Sequence, residues 1–264
     1  MGLTQKEYRE HDGISRSELE TLRTLTPLHF KYKQENREVT ETPALLEGRA
    51  AHKLILEPET FDDEFAVAPQ CDRRTKEGKE IYAAFVEASS GKDVLTADSM
   101  EKVKAMAEAI KQNETAMKFL NGKHELSFFW NDPETNELCK VRPDCICEVD
   151  GKKYITDYKT TTSCADGAFE KSVRKYGYKF QAGMYREGVF QATYEDYGFC
   201  FVAQEKEAPY AVRVYVCNDD FINEGYEQFR QTINLYHWCK ENDNWYGYEG
   251  AENIISELTG EGEL

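Results

Sequence analysis

A two-residue turn, Asp150-Gly151, places the tightest constraint on how this chain can fold. Residues before it, Leu138–Val149, predict a strand, and Lys153–Lys159 predicts an antiparallel partner. Asp-Gly between two such segments is a strong signal for a tight β-hairpin. The hairpin fixes a register, because a slip by one residue would turn every side chain to the opposite face of the sheet.

The predicted register brings two carboxylates together. If Val149 faces Lys152 across the turn, Asp144 faces Asp157, with Cβ atoms about 4.5–5.5 Å apart. Carboxylates this close repel unless a cation lies between them, and Mg²⁺ prefers carboxylate oxygens and water. Lys159 projects from the same face as Asp157 and can orient or help deprotonate a water on that cation. The alternative is a surface charge cluster, since Asp-x-Lys is common by chance.

The rest of the chain alternates between helical and strand patterns. Residues 13–40 are predicted to be helical, with N-cap candidates in Ser15-Arg16-Ser17-Glu18, and Thr42-Pro43 begins a helix that continues to Leu56. The further predicted elements are a helix from Asp98, a strand at Glu125–Trp130, a glycine-interrupted helix at about Ala168–Phe190, strands at Tyr197–Ala203 and Ala211–Cys217, and a helix at Phe221–Trp238. This order predicts an α/β fold with a central mixed β-sheet flanked by helices.

The charge distribution is uneven. A net charge of −16 argues against a general nucleic-acid binder. Between Lys152 and Arg186, however, eight basic residues outnumber three acidic ones, whereas residues 241–264 hold seven acidic residues and no Lys or Arg. A basic strip on an acidic body can confine a polyanion to one groove. The plainer alternative is that both segments are solvated faces.

The eight cysteines and the hydropathy pattern indicate in which cellular compartment the protein is expected. The first eleven residues are polar and lack the apolar stretch of a signal peptide, and no apolar run is long enough to span a membrane. We therefore expect a cytoplasmic protein that makes no membrane contact, with reduced and mostly buried thiols. The cysteine spacings do not match those of zinc or iron–sulfur sites.

Four motifs follow one another over residues 48–185: Gly48-x-x-x-His52, Asp144, Asp157-x-Lys159 and Gln181-x-x-x-Tyr185. In this order they resemble the RecB-like branch of the PD-(D/E)xK nucleases, whose fold has a restriction-endonuclease-like core. Residues 14–17 and 52–59 are further similar to the RecE-type exonucleases. One departure is Arg142-Pro143, which stands where many relatives have a glycine before the aspartate.

The resemblance implies a role for each matching residue. His52, Asp144, Asp157 and the Tyr158 carbonyl would be ligands of Mg²⁺, which Mn²⁺ can replace. Lys159 would position the attacking water. A buried histidine with satisfied hydrogen bonds is the alternative interpretation of His52.

Further roles follow from the same resemblance. Glu125 matches an acidic position that supports metal or water in RecE and lambda exonuclease, although an acid at a strand edge explains it equally well. Gln181 and Tyr185 would meet the scissile region and the DNA backbone, with core packing as the alternative for Tyr185. Phosphate or 5′-end contacts are expected from Ser15, Ser17, Thr160, Arg174, Lys175 and Lys179.

RecE-type enzymes degrade one strand of linear double-stranded DNA from its 5′ end and leave a 3′ tail. The resemblance therefore implies a homo-oligomer, a tetrameric ring around the duplex, and a single-strand annealing recombinase from phage recombination as partner. We expect one nuclease domain over residues 1–264: a helical part at about 1–120, a catalytic core at about 121–220, and a C-terminal helix with an acidic tail at about 221–264. The alternatives are an endonuclease or nickase with the same chemistry, and a non-catalytic DNA-binding relic of the fold.

Overall fold

The computed structural model describes residues 2–36 and 42–250. The α-helices in these ranges are α1 (Gln5–Glu10), α2 (Arg16–Thr24), α3 (Pro27–Glu35), α4 (Pro43–Leu56), α5 (Phe61–Glu64), α6 (Lys76–Ala88), α7 (Ala97–Lys111), α8 (Glu114–Leu120), α9 (Asp166–Lys175), α10 (Tyr178–Thr193) and α11 (Asp219–Asn242). The strands are β1 (Ile14–Ser15), β2 (Phe65–Val67), β3 (Asp93–Leu95), β4 (Gly122–His124), β5 (Phe128–Asn131), β6 (Leu138–Val141), β7 (Cys145–Val149), β8 (Lys152–Thr161), β9 (Gly198–Glu205) and β10 (Val212–Cys217).

A five-stranded mixed sheet with the order β10-β9-β8-β7-β4 forms the centre of the fold. Strands β8 and β9 run parallel, and the other neighbours are antiparallel. The β7–β8 hairpin has Val149 opposite Lys152 and Cys145 opposite Thr156, which is the predicted register. The predicted mixed sheet flanked by helices is confirmed.

A smaller sheet with the order β1-β6-β5 corrects two predicted strands. Glu125–Trp130 is not one strand, because Glu125 has a left-handed backbone (φ 54) that ends β4 before β5 begins in the other sheet. Leu138–Val149 is likewise not one long strand. It breaks after Val141, since Pro143 lacks the N–H that a ladder needs, and the chain passes from β6 in the small sheet to β7 in the large one. The predicted strand Leu138–Val149 is therefore divided between the two sheets, whereas Glu125–Trp130 contributes to the small sheet alone.

Helices cover both faces of the central sheet. One face packs Ile155, Phe199 and Phe201 against residues of α9, α10 and α11. The other face packs Tyr158, Val202 and the thiols of the central strands against residues of α4, α7 and α8. The result is a three-layer α/β/α arrangement, and the hydrophobic core lies on both sides of the sheet.

Helices α10 and α11 approach each other closely at two glycines. A Cβ at Gly183 would lie 2.1 Å from the backbone nitrogen of Tyr226, and a Cβ at Gly225 would lie 1.8 Å from the carbonyl oxygen of Lys179. Real Cβ atoms do not approach other atoms so closely, so both positions require glycine. This contact places α10 firmly against the sheet and against α11.

Two predicted N-caps, Ser15 of α2 and Thr42 of α4, are confirmed. The side chain of Thr42 accepts from the Leu45 N–H at the start of α4, as Thr-Pro predicts. Thr96, rather than Asp98, is the N-cap of α7. The predicted glycine interruption is confirmed at Gly177, which has φ 63 and separates α9 from α10. Residues 37–40 of the predicted N-terminal helical segment, and residues 251–264 of the predicted acidic tail, lie outside the described residues.

All eight cysteines have free thiols. Within the described parts of the chain, no helix combines the length and apolar character needed to cross a lipid bilayer.

Candidate metal centre and its surroundings

Three side chains from separate elements converge beside the hairpin. The Nε2 atom of His52 lies 3.1 Å from Asp144 Oδ2, and its Nδ1 atom lies 3.5 Å from Glu125 Oε1. One nitrogen or oxygen atom of each of the three residues lies within 4.8 Å of the others. Their side chains remain partly accessible, with His52 exposed to 30%. We call His52, Glu125 and Asp144 the metal cluster.

Local sequence explains how the metal cluster forms. His52 lies one turn after Gly48 on α4, and a Cβ at Gly48 would lie 3.6 Å from Thr160 Oγ1 at the end of β8. Gly48 thus faces the end of β8, and the next turn of α4 carries the imidazole of His52 to the sheet on the same helix face. Asp144 directly precedes β7, where the chain changes sheets, and its Oδ2 accepts from the Tyr158 N–H at 2.7 Å.

Asp157 and Lys159 lie beside the metal cluster on the side of α10. Lys159 Nζ is 2.6 Å from Asp157 Oδ2, and the Gln181 side chain donates to Asp157 Oδ1. The predicted placement of Asp157 and Lys159 on one face is therefore confirmed. The Tyr158 side chain projects to the opposite face, where its hydroxyl donates to Gln204 and its ring centroid lies 6.1 Å from that of His52.

The pKa values show how strongly the metal cluster attracts positive charge. Burial lowers the pKa of His52, but Asp144 and Glu125 outweigh burial and raise it to about 9. Burial and then the charge of Asp144 raise the pKa of Glu125 to about 7 and that of Asp157 to about 6. Burial opposes ionisation of Asp144, yet His52 lowers its pKa overall.

The donor set fits a hard divalent cation. Two carboxylates and one imidazole meet at a partly accessible position. The raised pKa values of His52 and Glu125 favour their protonated forms, which reduces the repulsion between the carboxylates of Glu125 and Asp144. Carboxylate oxygens suit Mg²⁺ and Mn²⁺, and a neutral imidazole adds a nitrogen ligand. The metal cluster contains Glu125, whereas the sequence predicted Asp157 as the second carboxylate ligand. The carboxylate of Asp157 contacts Lys159 and Gln181 instead.

Three of the DNA-contact candidates are hydroxyl residues. Ser15 is buried, and its hydroxyl donates to Glu18 at 2.6 Å at the start of α2. Ser17 is exposed, and its hydroxyl lies 3.2 Å from that of Ser15. Thr160 is half-buried next to α4. Of the three, Ser17 alone is freely accessible to a ligand from solvent.

The remaining candidates lie on α9 and α10. Arg174 and Lys175 are exposed at the end of α9. Lys179 pairs with Glu224 on the neighbouring helix. Tyr185 on α10 is half-buried and packs against two parts of the hydrophobic core, one next to the small sheet and one next to the central sheet. Burial raises its pKa well above the ordinary value. The structure thus brings Tyr185 into the core and leaves Arg174 and Lys175 at the surface.

Two residues near the metal cluster are absent from the sequence-based set. Arg142 donates to the backbone of Glu125 at 3.1 Å and lies 2.7 Å from its carboxylate. The ring of Tyr178 lies under Lys159, with the ammonium 4.9 Å from the ring centroid. Arg142 directly precedes the Pro-Asp pair, which offered a signal in the sequence, whereas the Tyr178 contact depends on the packing of α10.

Comparisons with known proteins agree with this architecture. The model of the family described as "PDDEXK-like domain of unknown function (DUF3799)" matches residues 15–257. The alignment with the crystal structure of a candidate exonuclease from Eubacterium rectale covers 98% of this chain and 96% of the other. Its TM-score of 0.68 at 17% identity shows a shared fold. The alignment with the crystal structure of SSO0001 covers 79% of this chain and 84% of the other at 15% identity, and its TM-score of 0.32 does not show a shared fold. No curated protein matches the chain.

Proposed function

Because the chain belongs to the PDDEXK-like family DUF3799, we propose that it is a metal-dependent nuclease that hydrolyses phosphodiester bonds of DNA. The observation that carries this proposal is the position of the metal cluster directly beside the paired Asp157 and Lys159. Acidic and imidazole groups that can hold a metal ion, next to a half-buried ammonium, are groups that can stabilise the charge that develops in phosphodiester hydrolysis. A non-catalytic relic would have no need of this arrangement.

Mg²⁺, or Mn²⁺ in its place, would be held by His52, Glu125 and Asp144, with Asp157 and the Tyr158 backbone adjoining them. When bound, the ion supplies a Lewis acid that stabilises negative charge on the scissile phosphate. Neutral imidazole and ionised carboxylates are the forms that bind a cation, so the protons of the metal cluster leave as the ion enters.

Lys159 has a role that its surroundings define. Burial lowers its pKa, but the charges of Asp157 and Asp144 outweigh burial and raise it. The ammonium therefore stays protonated at neutral pH, and it orients the attacking water and stabilises the developing charge instead of accepting a proton. Gln181 donates a hydrogen bond to the Asp157 carboxylate, and the ring of Tyr178 makes a cation–π contact with the ammonium of Lys159.

We further propose that the substrate is the end of linear double-stranded DNA, degraded from 5′ to 3′ to leave 3′ tails for recombination. The RecE-like pattern at residues 14–17 and 52–59 supports this, as does the fold shared with a candidate exonuclease. The same pattern supports a tetrameric ring and a single-strand annealing recombinase as partner, and free thiols suit a cytoplasmic location. Ser17, Arg174 and Lys175 are exposed and would contact DNA phosphates.

Digestion of end-labelled linear duplex, with and without Mg²⁺, tests this proposal. We expect release from the 5′ end that depends on Mg²⁺ and is lost in Lys159→Ala. Lys153→Ala is the matched control, because Lys153 lies on the same strand but pairs with Glu195 on the outside of the protein. Cleavage of closed circular DNA would indicate an endonuclease, release from the 3′ end would reverse the polarity, and equal activity of both variants would refute the catalytic site.

A further inference from the structure

Arg142 connects the metal cluster to the N-terminal helix α1. Its side chain is 8% exposed, and its Nε atom faces both the carbonyl oxygen of Glu125, at 3.1 Å, and the Glu125 carboxylate Oε2, at 2.7 Å. A second guanidinium nitrogen donates to Gln5 Oε1 at 2.7 Å. One side chain therefore grips the backbone and the carboxylate of the same cluster residue while it also holds α1.

Glu125 needs such support because of its backbone. Its φ of 54 lies in the left-handed region, which costs a non-glycine residue free energy. The Glu125 N–H donates to the Asp144 carbonyl at 3.1 Å, and Arg142 binds the carbonyl on the other side of the residue. The unusual conformation is thus fixed from both ends by residues of the β6–β7 connection.

The contact also decides which carboxylate oxygen enters the metal cluster. Glu125 Oε2 faces Arg142, whereas Oε1 lies 3.5 Å from Nδ1 of His52. We propose that Arg142 is a positioning residue that makes Glu125 a ligand through Oε1 alone. This inference rests on the proposed metal-dependent function. Lysine cannot replace the arginine, because a single ammonium lacks the planar fork that reaches a carbonyl, a carboxylate and Gln5 together.

Calorimetric titration of the full-length protein with Mn²⁺ tests the proposal without measuring catalysis. Loss of a residue that orients a metal ligand weakens metal affinity about 10- to 100-fold. We expect at least about tenfold weaker binding in Arg142→Lys. Arg213→Lys is the matched control, since Arg213 makes a similar contact to Asp166, at 2.8 Å, on the surface. Its affinity should equal that of the unmodified protein, and circular dichroism should show that both variants are folded.

A double-mutant cycle separates positioning from a purely structural role. In a Glu125→Gln background, Arg142→Lys should weaken Mn²⁺ binding by less than about twofold further, because its effect passes through the carboxylate. Gln5→Ala, which removes only the contact with α1, should leave Mn²⁺ affinity unchanged. An undiminished effect in the Glu125→Gln background, or an equal loss in Gln5→Ala, would overturn the inference.

The failure of this inference can be distinguished from failure of the proposed function. If the unmodified protein binds Mn²⁺ and cleaves DNA while Arg142→Lys binds Mn²⁺ equally well, the positioning role is wrong and the nuclease remains. If the unmodified protein neither binds Mn²⁺ nor cleaves DNA, both are wrong.

Discussion

Metal binding at the proposed site should release a proton from His52. The imidazole lies between Asp144 and Glu125, and its pKa is raised to about 9, so it is protonated at neutral pH in the metal-free protein. A cation binds the neutral imidazole. Each ion bound at pH 7 should therefore displace about one proton from His52 and about half a proton from Glu125, whose pKa is about 7.

The magnitude follows from the distance between the pKa and the working pH. At pH 7 the imidazole is two pH units below its pKa of about 9. Removal of the proton then costs about 2.7 kcal/mol, or about 100-fold in the dissociation constant. The 30% exposure of the side chain makes this an upper bound, because solvent screens the charges. The dependence of the metal affinity on pH is less sensitive to the exact pKa of His52. Proton release from His52 should raise the affinity about tenfold per pH unit until the pH passes that pKa.

Calorimetry with Mn²⁺ measures both quantities. Titrations at pH 7 in two buffers should differ in enthalpy by about 1.5 times the difference between the two buffer ionisation enthalpies. Between pH 6.5 and 7.5 the dissociation constant should fall about tenfold through His52 and about threefold more through Glu125, and His52→Ala should weaken binding and flatten this slope. Equal enthalpies in the two buffers together with a constant affinity would refute the assignment of His52 as a ligand.

Two further predictions concern stability, measured by urea denaturation. Asp132→Asn should lower the free energy of unfolding by about 3 kcal/mol, because Asp132 and Arg230 form a buried ion pair. Burial raises the pKa of Asp132, but Arg230 outweighs burial and lowers it. This contribution to stability is therefore present above the ordinary pKa of an aspartate and is lost as the pH falls below that value. Gly183→Ala should cost at least about 2 kcal/mol through a clash with α11 near Gly225, whereas Gly167→Ala, which has open space around it, should stay within about 1 kcal/mol of the unmodified protein. Unchanged stability in Asp132→Asn, or equal stability of the two alanine variants, would contradict the packing described.

Local chemistry made the hairpin and its two carboxylates predictable. The Asp150-Gly151 turn sets the register by itself, and the structure has the pairing that this turn predicts. Gly48 and His52 were singled out by the resemblance to the RecB-like nucleases, and their spacing of four residues, about one turn, then places them on one helix face. The hairpin, which depends on a short sequence separation, was predictable from the residues alone.

Long-range geometry was not predictable in the same way. Apolar alternation marks a strand but does not assign it to one of two sheets, so the breaks at Glu125 and after Val141 were missed. The grip of Arg142 on Glu125 spans 17 residues and requires both breaks. Lys159 meets Tyr178 only because α10 packs across the sheet, which no local pattern in the sequence specifies.

Strand β8 pairs with β7 as far as Thr156, and its pairing with β9 continues through Asp157 and Lys159 to Thr161. The amides of Asp157 and Lys159 should therefore exchange with deuterated solvent only through large-scale opening, whereas Glu125 occupies a strand junction at the sheet edge. Asp157 and Lys159 are thus placed by the central sheet, whereas Glu125 is placed by its contacts with Arg142 and Asp144. Loss of Arg142 should therefore speed exchange at Glu125 and leave exchange at Asp157 and Lys159 unchanged.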